Sequence, residues 1–119
     1  MRRRKKRGKI ISKGVKRIIE FLKLNEFDFK TEYRIKECRD KLPLPFDFVI
    51  FKNNNILLIE FQGIQHYKKI RKFGGQKALT KQKIHDIIKV DYCLTHKIPL
   101  LIISYEDENI EELCYNFLK

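Results

Sequence analysis

Asp47 and Glu60 are the residues of this sequence best placed to do chemistry. Each interrupts an apolar run: Leu44-Pro45-Phe46-Asp47-Phe48-Val49-Ile50-Phe51 and Ile56-Leu57-Leu58-Ile59-Glu60-Phe61-Gln62. Between the runs, Lys52-Asn53-Asn54-Asn55 reads as a turn, because Asn tolerates left-handed backbone and caps its own turn. A loop over 52–55 pairs Phe51 with Ile56, and counting outward sets Asp47 opposite Glu60. Opposed side chains have Cβ atoms ~4.5–5.5 Å apart, where like charges repel. Two carboxylates amid Phe, Val, Leu and Ile need a compensating cation or a shared proton. A divalent metal is the natural compensation, since Mg²⁺ takes oxygen ligands and keeps waters and a substrate phosphate in its shell. Gln62, two residues beyond Glu60, points to the same face. The same residues admit plainer readings: Asp47 as a turn cap, or both acids on a solvent-facing sheet surface, as a one-residue register slip would give.

The elements that must position these residues follow from periodicity. Ile11, Val15, Ile18, Ile19 and Leu22 recur at helical spacing, so a helix is expected over about 11–24. Phe27, Phe29, Thr31, Tyr33 and Ile35 alternate as in a half-buried strand, followed by a loop through Cys38–Lys41. The run 56–62 is nearly all apolar and belongs centrally in a sheet covered on both faces. Gly74-Gly75 precede a long helix from about Gln76 to Thr95, with Ala78, Leu79, Ile84, Ile87 and Ile88 marking its buried side. Pro99 opens a strand at Leu100–Ser104, and Ile110, Leu113, Cys114, Phe117 and Leu118 line a closing helix. The expected class is α/β, a single domain in α-β-β-β-α-β order with a C-terminal helix. Its mixed four-stranded sheet is flanked by helices, and the long helix provides the crossover that a parallel pairing requires.

Composition sets the partners. The 119 residues fit one core, a basic arm over 1–9 and a domain over 10–119. Net charge is +12, from 27 basic and 15 acidic residues. Arg2, Arg3, Arg4, Lys5, Lys6, Arg7 and Lys9 supply seven of the basic residues, leaving 20 against 15, or about +5, for the rest. Such an arm seeks polyanions, because neutralised phosphates release counterions; a nuclear import signal or a solubilising terminus would look the same. Lys68, Lys69, Arg71 and Lys72 surround Tyr67 and Phe73, an interleaving suited to a strand backbone and its bases, in a loop long enough to be a mobile flap. Cys38, Cys93 and Cys114 form no close pair, which argues for a reducing compartment and against a disulfide framework or a zinc knot. Cys93 and Cys114 sit in apolar helical patterns and read as buried thiols. No apolar run reaches ~18 residues and no signal-peptide core is visible, so no membrane partner is expected. The location expected is intracellular, cytoplasmic or nucleoid-associated, or nuclear in a eukaryotic host.

Pro45-Phe46-Asp47 followed by Ile59-Glu60-Phe61-Gln62 resembles the PD-(D/E)XK nuclease motif in its E-x-Q variant, with Gln62 in the usual lysine position. More closely, the span from about Ile10 to Tyr105 is similar to the small phage-type homing endonucleases related to the very-short-patch mismatch repair endonuclease. The likeness is carried by Leu42-Pro43-Leu44-Pro45-Phe46-Asp47-Phe48, by Ile59-Glu60-Phe61-Gln62-Gly63-Ile64-Gln65-His66-Tyr67 and by Phe73-Gly74-Gly75. Gln82, Asp86, Lys89, Tyr92 and Cys93 complete it.

The resemblance implies a metal-dependent DNA endonuclease with Asp47 and Glu60 ligating Mg²⁺ or Mn²⁺. Gln62 would orient water or phosphate, and His66 would act near the scissile phosphate as base or ligand; by itself His66 reads as a polar loop residue. Gln82, Asp86 and Lys89, spaced i, i+4, i+7, would line the site, with Lys89 near phosphate; the plainer reading is a solvated stripe opposite the apolar one. His85 lies off that stripe and carries no assigned role. Relatives of this kind open the first helix with Ser-x-Gly-Glu, whereas this chain has Ser12-Lys13-Gly14-Val15. Glu20 lies roughly 140° around the helix from Val15 and cannot replace the acid. Glu32 is a candidate substitute, though a solvent-facing strand residue is its plainer reading. The missing acid keeps open a catalytically impaired nucleic-acid-binding protein on the same scaffold. An RNA-binding or structural protein with incidental acids is a third reading. Cutting both DNA strands would call for a homodimer.

Overall fold

A computed structural model describes residues 12–64 and 74–119. Its elements are α1 (Lys13–Leu24), β1 (Asp28–Arg39), β2 (Pro43–Lys52), β3 (Asn55–Gln62), α2 (Gly75–Thr95), β4 (Leu100–Ser104) and α3 (Ile110–Leu118). The strands form one sheet in the order β1-β2-β3-β4, antiparallel between β1, β2 and β3 and parallel between β3 and β4. The protein is thus a small α/β domain with a mixed sheet and three helices, in the order expected. No helix among the described residues is long and apolar enough to cross a membrane.

The hairpin of β2 and β3 is closed more tightly than a four-residue loop. Lys52 pairs with Asn55, and only Asn53 and Asn54 turn the chain, both with left-handed backbone at φ 53° and 66°. Positive φ at both central positions is the type I′ pattern, whose twist matches the flanking strands. The shorter turn keeps the expected register, with Phe51 on Ile56 and Phe48 on Ile59.

Alternation along β2 and β3 builds two apolar layers. Phe48, Ile50 and Ile59 face Ile18 and Leu22 of α1 and Cys114 and Leu118 of α3. Val49 and Leu58 face the other way, toward Cys93 of α2, joined by Cys38 and Phe46. A strand buried on both faces explains the unbroken apolar run of β3. Cys38 belongs to β1 rather than to a loop, which extends that strand to Arg39. Ser12 caps α1 by accepting the Val15 N–H at 3.2 Å. Arg17 ties α1 to α3, donating to the Glu111 carboxylate and, at 2.9 Å, to the Glu108 carbonyl.

The orientation of α2 follows its apolar periodicity only in part: Ala78, Leu79 and Ile88 are half-buried, with Ile88 packed against the core. Ile84, Ile87 and Leu94 are 48%, 67% and 74% exposed. The buried residues of this helix are Lys89 and Cys93. Lys89 therefore faces the sheet rather than a solvated side, with Gln82 and Asp86 half-buried on the same helix. On that side Lys89 donates to Glu60 of β3 at 2.8 Å.

Candidate metal centre

Asp47 is positioned by a local fault in the sheet. On a regular strand, residues two or four apart share a face. Phe48 nevertheless packs in the α1/α3 layer while Phe46 packs in the α2 layer, and Phe29 and Tyr33 of β1 divide the same way. Both strands change faces at one level. There Glu32 stands between the pairs Thr31–Phe48 and Tyr33–Phe46, at the level of Asp47, with φ 52°. Left-handed backbone at a non-glycine residue costs roughly 1–3 kcal/mol and recurs at ligand sites. On its other side Asp47 lies beyond the end of the β2–β3 ladder, which stops at Phe48–Ile59. Its Oδ2 accepts the Phe61 N–H at 2.7 Å, so the side chain continues what the backbone leaves off.

Glu60 comes from the middle of the sheet, where β3 is flanked by β2 and β4 and Glu60 pairs with Ile102. It is 5% exposed. Its Oε2 accepts from Lys89 Nζ at 2.8 Å, and Lys89 is itself 7% exposed. The Lys89 ammonium also lies 5.6 Å from the centre of the Phe46 ring. The Asp47 and Glu60 carboxyl groups are in hydrogen-bonding contact. Burial, joined by the Asp47 charge, pushes Glu60 up to about 8, against the pull of Lys89. The two acids thus meet as the register implied, although the backbone ladder ends one step short of them.

The donor set suits a hard divalent cation. Beyond the bonds to Phe61 and Lys89 and their own contact, both carboxyl groups keep lone pairs, since a carboxylate ordinarily accepts at about four positions. One or two carboxylates, completed by waters and substrate phosphate, make a sufficient Mg²⁺ site. Among the described residues, no group of three or more His, Cys, Asp and Glu gathers as a metal cage.

The other predicted residues divide between described positions and the undescribed segments. Gln62 ends β3, level with Ser104 of β4 and half-buried. On α2, Gln82 donates to Asp86 at 3.2 Å, and both are half-buried. His66, Lys68, Lys69, Arg71 and Lys72 lie outside the described residues, as do Arg2, Arg3, Arg4, Lys5, Lys6 and Arg7. Val15 packs against the α1/α3 core and offers no ligand. Gly14 before it lies against Phe61, the residue that holds Asp47, so closely that a Cβ would sit 2.3 Å from that ring.

Two features escaped the sequence. His85, left without a role, contacts Asp40 at 3.0 Å and ties α2 to the end of β1. The burial of Lys89 was readable in principle: Cys93 is the buried thiol expected, and a residue four positions before it shares its face. Compared with known proteins, the chain matches no family model, no curated protein and no solved structure.

Proposed function

We propose that this protein is a metal-dependent DNA endonuclease built on a PD-(D/E)XK core, hydrolysing phosphodiester bonds in a homing- or repair-type role. The observation that carries the reading is the contact between Asp47 and Glu60, two acids from adjacent strands brought together in a largely buried site. A pair of this kind is costly unless something cationic or protonic is shared between them. Mg²⁺ or Mn²⁺, held by Asp47 and Glu60, would supply charge stabilisation at the phosphate and a water made acidic enough to attack. The chain's own contribution is placement. Phe61 fixes Asp47, the sheet fixes Glu60, and Gln62 at the strand end is the amide nearest in sequence for orienting water or phosphate. His66 is proposed as the proton acceptor, and the arm at 2–7 with the basic residues at 68–72 as the DNA contacts.

The experiment is cleavage of supercoiled plasmid in Mg²⁺ or Mn²⁺ by the parent, Asp47→Ala and Glu60→Ala. Cutting by the parent alone supports the reading. Equal cutting by all three would point to a contaminant and remove the site assignment. Val15 favours a second reading, because an apolar residue packed into the core stands where an acidic ligand was expected. Binding of DNA without cutting by the parent would establish that inactive binder.

A further inference from the structure

A cavity of about 520 Å³ opens between the β2–β3 turn and the loop from α2 to β4. Asn55, on its wall, stands five residues before Glu60 on β3, or about 17 Å away along the strand. Half-buried Ile56, Leu57 and Ile98 make its floor. Asn53, Asn55, His96 and Lys97 form an exposed rim, with half-buried Lys52 beside them, and none of the residues lining the cavity is acidic. An apolar floor under a few convergent polar groups is the usual make-up of a small-molecule site, and here the cations set the sign of the ligand.

The polar groups are held in place. Lys52 Nζ donates to the Leu118 carbonyl, and an ammonium has two further donors. His96 Nδ1 donates to the Tyr92 carbonyl at 3.0 Å and its ring stacks on Tyr92, which leaves Nε2 as its second hydrogen-bonding atom. Lys97 follows the C-cap of α2 with left-handed backbone, φ 57°, and the Ile98 N–H closes the helix end on the Cys93 carbonyl at 2.9 Å. Glycine is the usual residue there, because a side chain strains that conformation. A cation near a helix C-terminus complements its dipole. Here, though, the N–H groups of His96, Lys97 and Ile98 already occupy the carbonyls of Tyr92, Leu94 and Cys93.

We propose that this cavity is a second ligand site, apart from the candidate metal centre, that takes a phosphate ester bearing an aromatic or apolar group, as a nucleotide does. Lys52 and Lys97 meet the phosphate, and Ile56, Leu57 and Ile98 receive the group it carries. The phosphate can belong to a free nucleotide or to a DNA strand. The inference does not depend on the nuclease reading, since no metal enters it.

The test uses the full chain in EDTA at low salt, with adenosine monophosphate and a short single-stranded DNA as probes. Calorimetry reads the nucleotide affinity, fluorescence anisotropy the DNA affinity and thermal melting the fold. Lys97→Gly relieves the left-handed strain, so it should melt no lower than the parent. It should nevertheless lose a charged hydrogen bond to phosphate, and with it at least about tenfold in affinity. Lys41→Ala removes the same charge from an exposed bend and should bind like the parent. Weakening of the nucleotide alone identifies a free nucleotide as the ligand; weakening of DNA, with or without the nucleotide, identifies the strand backbone. Should Lys97→Gly lose the fold, Lys97→Asn carries the same expectation, because asparagine tolerates left-handed backbone. A parent that binds neither probe overturns the proposal. So does a Lys97 variant that binds both probes as the parent does, or an equal loss in Lys41→Ala.

Discussion

Glu60 combines three conditions seldom met at once: burial, a neighbouring acid and a lysine partner. The first two prevail, and its carboxyl titrates near 8 rather than at the ordinary 4.5. The folded protein then binds more protons than the unfolded chain between those values, so metal-free stability should fall as pH rises from about 4.5 to about 8. Melting temperatures in EDTA across that window test this, and Glu60→Gln should flatten the curve. A parent curve already flat would count against the buried acid pair. If Mn²⁺ is held there as proposed, it binds the deprotonated form, so its stabilising effect should be larger near pH 8 than near pH 5. The thiols offer a simpler check. Burial raises all three, Cys93 and Cys114 to about 11, and each is at most 2% exposed. A disulfide reagent such as Ellman's should label none of them in the native protein and all three once it is unfolded; rapid native labelling would contradict the packing.

At the scale of elements, the strands were more legible than the long helix. The hairpin register could be counted because a strand's period of two leaves one choice that buries the apolar side. The turn was placed correctly but made too long, since Asn53 and Asn54 suffice to reverse the chain. The face change at Glu32 and Asp47 had no sequence signal, because alternation presumes the regular strand that a left-handed residue breaks. The facing of α2 was judged only partly right. Apolar residues occur around most of this helix, so periodicity placed Ile88 correctly but could not tell that Ile84 and Ile87 face outward while Lys89 is buried. This yields a direct test: Ile87→Ala should change stability by less than about 0.5 kcal/mol, as at an ordinary surface position. Ile18→Ala, at a fully buried site of α1, should cost about 2–5 kcal/mol. Denaturant midpoints distinguish these, and a large loss at Ile87 would restore the orientation that periodicity suggested.

For the whole molecule, basic charge is concentrated at the start of the sequence. Seven of the 27 basic residues lie within the first nine positions, whereas the acids of the centre belong to the sheet. If that arm follows the phosphate backbone, removing residues 1–9 should make DNA binding less salt-sensitive. Each lost phosphate contact should reduce the log–log slope by about 0.9. Fluorescence anisotropy at several salt concentrations measures the slope, and an unchanged value would take the arm out of the interface. Gly14 connects the outer layer to the centre in another way. It lets α1 lie against Phe61, whose N–H holds Asp47, with no room for one more carbon. A methyl group there would pry on the strand that aims the acid, so Gly14→Ala should behave as a conditional allele, competent in the cold and sprung out of line a few degrees higher.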